Sequence, residues 1–221
     1  MKRTDDSALP GENKTSRAAA KAERRQNLIE ATITSIARYG LSGTTLARVT
    51  EIAGVSMGLV NFHFETKERL LEAVLTHLAD DQRTFWHRRN QDASLSTADR
   101  LMAIIDSRFH GRVSDRRSLA IWFAFWGDAS AREIYRRVVG GVDEEILEAT
   151  VAILTLMVQE GGYTNLDPLE TALAMEAMYD GLWLNMLLYP EEFNSLNSRA
   201  RALDFVAAIL PCHFNATRGR S

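Results

Sequence analysis

From Arg17 onward, apolar positions recur along the chain at helical spacing. Ile29, Ile33 and Ile36 share one face, with Thr32 and Ala37 beside them, and Gly40 supplies the left-handed backbone that stops a helix. Thr44 stands where a cap belongs, ahead of a short helix that turns Leu46, Val49, Ile52 and Ala53 inward and that Gly54 closes. Ser56 is placed to cap a second short helix ending near Phe64. Two short helices joined by a tight turn at Gly54 and Val55 have the shape of a helix-turn-helix.

Beyond this turn the period stays helical to the end, with no sustained alternation of period two and only four prolines in 221 residues. The pattern predicts helices over residues 66–86, 97–111 and 121–126. A long one over 130–161 is softened at Gly140 and Gly141. Asp167, Pro168 and Glu170 combine a capping carboxylate, a first-turn proline and a glutamate at the third position, a strong start signal for the next helix. A last helix is expected over 198–210. No internal repeat is visible. The expected fold is all-α with about nine helices. Its parts are a flexible arm (1–16), a helix-turn-helix domain (17–82), a C-terminal helical ligand-binding and dimerisation bundle (83–215) and a short tail (216–221).

The net charge of −3 would argue against a nucleic-acid partner if it were spread evenly, but it is not. Residues 1–70 hold 11 basic against 8 acidic side chains, and the remainder holds 15 against 21. A basic module on an acidic body suits a chain that touches phosphates at one end only. Cys212 is the single cysteine, so one chain can form neither a disulfide nor a thiolate metal cage. His77, His87, His110 and His213 have no ligand spacing, and neither metal nor cofactor is expected. No run of 18 apolar residues appears, and the first ten residues carry charges where a signal peptide has an apolar segment. A cytoplasmic protein with no membrane partner is expected.

The segment GVSMGLVNFHFETKERLL (54–71), preceded by TTLARVTEIA (44–53), resembles the TetR family of bacterial repressors. That resemblance implies a homodimer on double-stranded, pseudo-palindromic operator DNA, released by a small-molecule effector. Within the motif, Val55, Val60 and Phe64 are expected to point into a three-helix core. Ser56, Met57, Gly58, Leu59 and Asn61 then face the major groove. Thr44, Thr45, Arg48, His63 and Lys67 are expected on phosphates, and by resemblance Phe62 and His63 occupy aromatic phosphate-contact positions. Met57 and Asn61 depart from the lysine and tyrosine common in relatives. The basic run Lys14, Arg17, Lys21, Arg24 and Arg25 is a candidate for compensating contact, along the backbone or as an arm in the minor groove, or is simply a solvated helix start.

LAIWFAFWGDA (119–129) and AMYDGLWLNMLLY (177–189) resemble the subfamily of the choline-responsive repressor of betaine synthesis. Trp122 and Trp126 are four apart, as are Tyr179 and Trp183. With Phe125 they suggest an aromatic box in which Asp180 or Asp128 meets a quaternary ammonium; a plain hydrophobic core would show the same stripes. Met102, Met157, Met175, Met178 and Met186 can line such a pocket or fill gaps. Dimerisation is expected through the last two long helices, where Ala172, Ala174, Ala177 and Gly181 permit close approach and Leu169, Leu173, Phe205 and Ile209 add apolar area. Two other functions stay open on sequence alone: a helical enzyme acting on a small metabolite, disfavoured by the absence of a phosphate loop, nucleophile elbow or zinc-binding histidine pair, and an effector-free DNA-organising protein.

Overall fold

A computed structural model describes residues 10–92 and 94–214. Among them are ten helices and no strand, arranged as two compact units that divide between residues 70 and 71.

The first unit is built on α1 (Pro10–Gly43), α2 (Leu46–Ala53) and α3 (Met57–Phe64), and it takes in the first turn of α4 (Lys67–Asn90). Residues 10–16, expected in a mobile arm, instead form the opening turns of α1. Pro10 is suited to that place, because a first-turn proline gives up only an N–H that has no helical partner. The rest of that arm, residues 1–9, lies outside the described residues, as does the 216–221 tail. Gly40, at φ 68°, breaks the helical path where the sequence required a stop. Gly54, at φ 65°, ends α2; its N–H reaches the Glu51 carbonyl at 3.3 Å, and that of Val55 reaches the Thr50 carbonyl at 3.1 Å. This closes the last turn of α2 and redirects the chain within two residues. Leu28, Ile29, Ile33 and Ile36 of α1 are buried with Val49, Val60, Phe64 and Leu70. Each such side chain contributes about 1.5–3 kcal/mol when fully buried. Val55, expected inside, is only half-buried.

The second unit holds the rest of α4, then α5 (Thr97–Arg108), α6 (Arg116–Gly127), α7 (Ala131–Val138), α8 (Gly140–Gly161), α9 (Pro168–Leu188) and α10 (Ser195–Ile209). α8 packs on α5 and α9, α6 on α9, and α7 on both α6 and α8. Trp86, Leu101, Ile104, Ile105, Ile121, Phe125, Ile153, Leu154, Met157, Met175 and Val206 form the core.

Several expected boundaries move. α5 ends at Arg108 rather than 111, and α6 starts at Arg116 rather than 121 because Asp115 caps it, accepting the Ser118 N–H at 2.6 Å. α4 runs on to Asn90. The helix expected over 130–161 is two helices that part at Val139. α10 starts at Ser195 because Asn194 and Asn197 form a reciprocal capping box, each side-chain oxygen accepting the other's backbone N–H at 3.0 Å. Asp167 caps α9 as expected, accepting from the Glu170 N–H at 2.9 Å.

Candidate nucleic-acid interface and ligand cavity

In the first unit α3 is anchored by its inner side and open on its outer side. Val60 and Phe64 are buried, whereas Ser56, Met57, Gly58, Asn61 and Phe62 are exposed, Phe62 by 66%. Leu59 and His63 are half-buried. The basic residues of α1 come alongside: the Lys21 ammonium lies 5.1 Å from the centre of the Phe62 ring, and the Arg25 guanidinium 5.2 Å from that of Phe64. Partial burial, then the charges of Lys21, Arg25 and Arg24, hold the His63 pKa below its ordinary value. Lys21 and Arg25 of the basic run are therefore placed against α3, whereas Arg17 and Arg24 are exposed and the side chain of Lys14 lies outside the described residues. A Cβ added at Gly58 would meet only the Ser56 hydroxyl, at 3.9 Å, so nothing inside the chain demands glycine there.

Thr44 departs from its expected roles. It is buried, donating to the Gly40 carbonyl at 2.8 Å and sharing a hydrogen bond with Ser35 at 3.0 Å. Its hydroxyl braces the turn after Gly40 and is not offered to a phosphate. The cap of α2 is the next residue: Thr45, exposed, accepts the Arg48 N–H at 3.2 Å. Ser56 takes the cap position of α3 without a side-chain hydrogen bond. Arg48 stacks 4.2 Å from the Tyr39 ring centre and donates to the Gly43 carbonyl, which fixes the direction of its guanidinium. Lys67 donates to the Leu41 carbonyl at 3.2 Å.

The second unit contains a cavity of about 280 Å³ walled by α4 through α9. Trp122 and Trp126 of α6 face Tyr135 of α7, whose ring centre lies 6.1 Å from one and 5.9 Å from the other, at 84° to both. These rings make an aromatic corner. Opposite polarity comes from α8 and α9, which bring Asp143, Glu144, Glu176 and Asp180, beside the aliphatic Leu147. The Tyr135 hydroxyl donates to Asp143 at 2.8 Å, and burial raises both groups above their ordinary pKa values. Arg108 of α5, buried, is ion-paired with Glu176. Asp180 is exposed as a residue, yet desolvation of its carboxyl pushes its pKa up to about 6, opposed by Arg108 and helped by Glu176 and Asp143. In the cavity wall Gln82 Nε2, Arg108 Nε, Trp122 Nε1 and Glu176 Oε1 have no hydrogen-bond partner among the described residues.

Of the six expected ligand residues, Trp122, Trp126 and Asp180 line this cavity. Phe125, Tyr179 and Trp183 do not; they are core. Phe125 is fully buried, Tyr179 packs edge-on to Phe109 at 6.0 Å, and the Trp183 indole N–H donates to the Arg108 carbonyl at 2.9 Å. Asp128 serves as a cap instead, accepting the Ala131 N–H at 3.0 Å. Met157, Met175 and Met186 are likewise buried in the core. Tyr135, Asp143, Glu176, Arg108 and Gln82 escaped sequence reasoning. Each stands alone in its own helix without a local motif, and packing alone brings them together.

A second, shallower hollow of about 740 Å³ lies where the loop after α8 meets α9 and α10, lined by Tyr163, Leu166, Ala174, Phe205 and Ile209 among others. Leu169, Leu173, Ala174, Ala177, Gly181 and Phe205 are exposed around it or along the same two helices. Ala172, expected on that outer face, is fully buried inside the unit.

These two regions have known counterparts. Residues 28–74 match the family described as bacterial regulatory proteins of the tetR family, and residues 97–211 match the BetI-type transcriptional repressor C-terminal domain. The chain belongs to the TetR family. The regulator BetI of Paraburkholderia phymatum is 30% identical over 85% of this chain and 93% of its own length; that of Paraburkholderia xenovorans is 28% identical over the same shares. Among solved structures, a transcriptional regulator of Pseudomonas aeruginosa PAO1 is 27% identical with a TM-score of 0.73, over 87% of this chain and 93% of that one. A Saccharomonospora viridis regulator, solved in complex with choline, shares the fold at 20% identity and a TM-score of 0.67, over 84% and 96% of the two chains. As a TetR-family member with a BetI-type C-terminal domain, the chain is a DNA-binding transcriptional repressor, and its family consists of regulators rather than enzymes. Among the described residues no helix is long and apolar enough to cross a membrane, and no cluster of side chains is fit to hold a metal ion.

Proposed function

We propose that this repressor acts in the cytoplasm as a homodimer on a pseudo-palindromic operator, and that a small quaternary ammonium compound of choline's class, bound in the 280 Å³ cavity, releases it. The observation that carries the effector class is the corner of Trp122, Trp126 and Tyr135 set against the carboxylates of Asp143, Glu176 and Asp180. A methylated ammonium gains about 0.5–2 kcal/mol from each ring face it meets and needs no hydrogen bond. The unpartnered donors Gln82 Nε2, Arg108 Nε and Trp122 Nε1 beside the unpartnered acceptor Glu176 Oε1 favour a ligand that also carries a hydroxyl, which can accept and donate at once. The choline held by the Saccharomonospora viridis relative supports the same class.

On the DNA side, Met57, Gly58, Leu59 and Asn61 of α3 are the candidates for base edges, with Ser56 at the start of that helix. Thr45, Arg48, Phe62, His63 and Lys67 are the candidates for phosphates, joined by Lys21, Arg24 and Arg25 of α1. The partner subunit docks on α9 and α10, through Leu169, Leu173, Ala177, Gly181 and Phe205, whose apolar surface is uncovered in one chain. Gel retardation with promoter DNA from the protein's own locus tests the whole reading. Binding is expected to weaken with salt, as phosphate contacts require, and to be lost on adding choline but not the neutral isostere 3,3-dimethyl-1-butanol. Release by both compounds alike would remove the ammonium from the argument, and salt-insensitive binding would remove the phosphate contacts.

A further inference from the structure

The cavity of the second unit is not sealed within one chain. Its inner end is formed by Gln82, Arg108 and Trp122, all buried, whereas Glu144 of α8 and Asp180 of α9 line it and are exposed. The mouth therefore opens between α8 and α9, with one carboxylate on each side. Exposed positions of α9 form a stripe that includes Leu169, Leu173, Ala177, Asp180 and Leu184. At about 100° per residue, Asp180 falls between Leu169 and Leu173 around the helix axis, about 20° from each. Along the axis it lies between Leu173 and Leu184, which are 43% and 40% exposed. Asp180 is thus at once a wall residue of the cavity and a member of the apolar face that one chain leaves uncovered.

We propose that the second subunit supplies the outer wall of the cavity beside Asp180, so that each effector site is complete only in the dimer. This rests on the two readings above, that the cavity takes a cationic effector and that the copies meet through α9 and α10. The occupant of the face is a second copy because a two-fold interface sets the same surface of each chain against the other. A subunit seated on Leu169, Leu173 and Leu184 necessarily covers the carboxylate that stands among them.

Covering that carboxylate is unfavourable while it lacks a cation of its own. Arg108, the one cation of the cavity wall among the described residues, is ion-paired with Glu176. An ammonium bound behind Asp180 supplies the missing counter-ion. The partner in turn excludes water from that side, which strengthens the attraction between the two charges. Effector and partner therefore favour each other's binding, and the coupling is reciprocal. Glu144, exposed on α8 across the mouth, leaves an entrance on the side away from the stripe. The effector enters without parting the subunits, and its charge acts on the contact between them.

Phe205→Glu breaks the docking face on α10 without altering a residue that lines the cavity. Calorimetric titration with choline compares the full-length dimer with this variant as a monomer, circular dichroism showing that its helical content is kept. At least about fivefold weaker binding by the monomer is expected, the low end of typical coupling between sites. Saturating choline is also expected to return the variant toward dimer in sedimentation equilibrium. Leu173→Glu is the second variant and carries the test if Phe205→Glu does not fold. Its added carboxylate lies on the Asp180 side of α9 and attracts a cation, so weaker choline binding there reflects the lost subunit and not the new charge. Equal affinity in monomer and dimer overturns the shared wall while leaving the cation site and the interface standing. Variants that both remain dimeric overturn the interface reading and this proposal with it. Absence of choline binding by the unmodified protein overturns the effector reading and this proposal together.

Discussion

Gly58 separates what a residue does for the fold from what it does for a partner. Inside the chain its missing side chain is unnecessary, since a Cβ would meet nothing closer than 3.9 Å. Alanine there is expected to stabilise α3 by about 0.5–1 kcal/mol, the usual helix advantage of alanine over glycine. The same methyl group stands on the exposed side, where a DNA backbone or base edge must approach. Gly58→Ala should therefore raise the melting temperature while weakening operator binding by roughly tenfold, about 1.4 kcal/mol; unchanged operator affinity would show that DNA does not come close at this point. Thr44 and Thr45 show the opposite limit of residue-level reading. Both hydroxyls suit a cap, and only the packing of Thr44 against Ser35 shows that the second of them is the exposed one.

At the scale of elements, start and stop chemistry proved more legible than length. Gly40, Gly54 and Asp167 mark boundaries that the structure keeps, because each satisfies a local requirement for a left-handed residue or a capping oxygen. α10 shows why apolar spacing alone misplaced a start. The apolar side chain of its first turn, Leu196, points into solvent, so the turn offers no inward apolar position and is held by the Asn194–Asn197 pair. Asn194→Ala should cost about 1 kcal/mol of stability, the usual loss of a helix cap, seen as a lower midpoint in urea unfolding of the full chain. A midpoint within error of the unmodified protein would mean that packing of Ala202, Leu203 and Val206 holds the first turn without its cap. The break at Val139 was softer in sequence, yet it matters more. It separates α7 from α8, and those two helices supply Tyr135 and Asp143 to the cavity.

For the whole molecule, the uncovered apolar surface of α9 and α10 requires an explanation that one chain does not provide. Leu169 and Leu173 are 48% and 43% exposed, one turn apart, and Phe205 is 37% exposed on the neighbouring helix. A charge placed among them, as in Leu173→Glu, has little to disturb within a single subunit, because the side chain faces outward. Buried against a second copy, an unpaired carboxylate is strongly unfavourable. Leu173→Glu is expected to shift the protein from dimer to monomer in sedimentation equilibrium, with near-native helical content by circular dichroism, and to weaken operator binding, because two linked reading heads bind far better than one. A Leu173→Glu protein that sediments as a dimer would place the interface elsewhere.

By itself, the sequence determined the all-helical class, the helix-turn-helix and the sites of its turns, the basic bias of the first unit, and Trp122, Trp126 and Asp180 as ligand candidates. These depend on periodicity, caps and neighbours a few residues apart, all of which are local. Only the tertiary structure decided that Tyr179, Trp183 and Phe125 are core, and that Tyr135, Asp143, Glu176 and Arg108 complete the cavity. An aromatic stripe at helical spacing looks the same whether its face meets a neighbouring helix or an open space. Which of the two it meets depends on how α4 through α9 pack together, and no single helix records that.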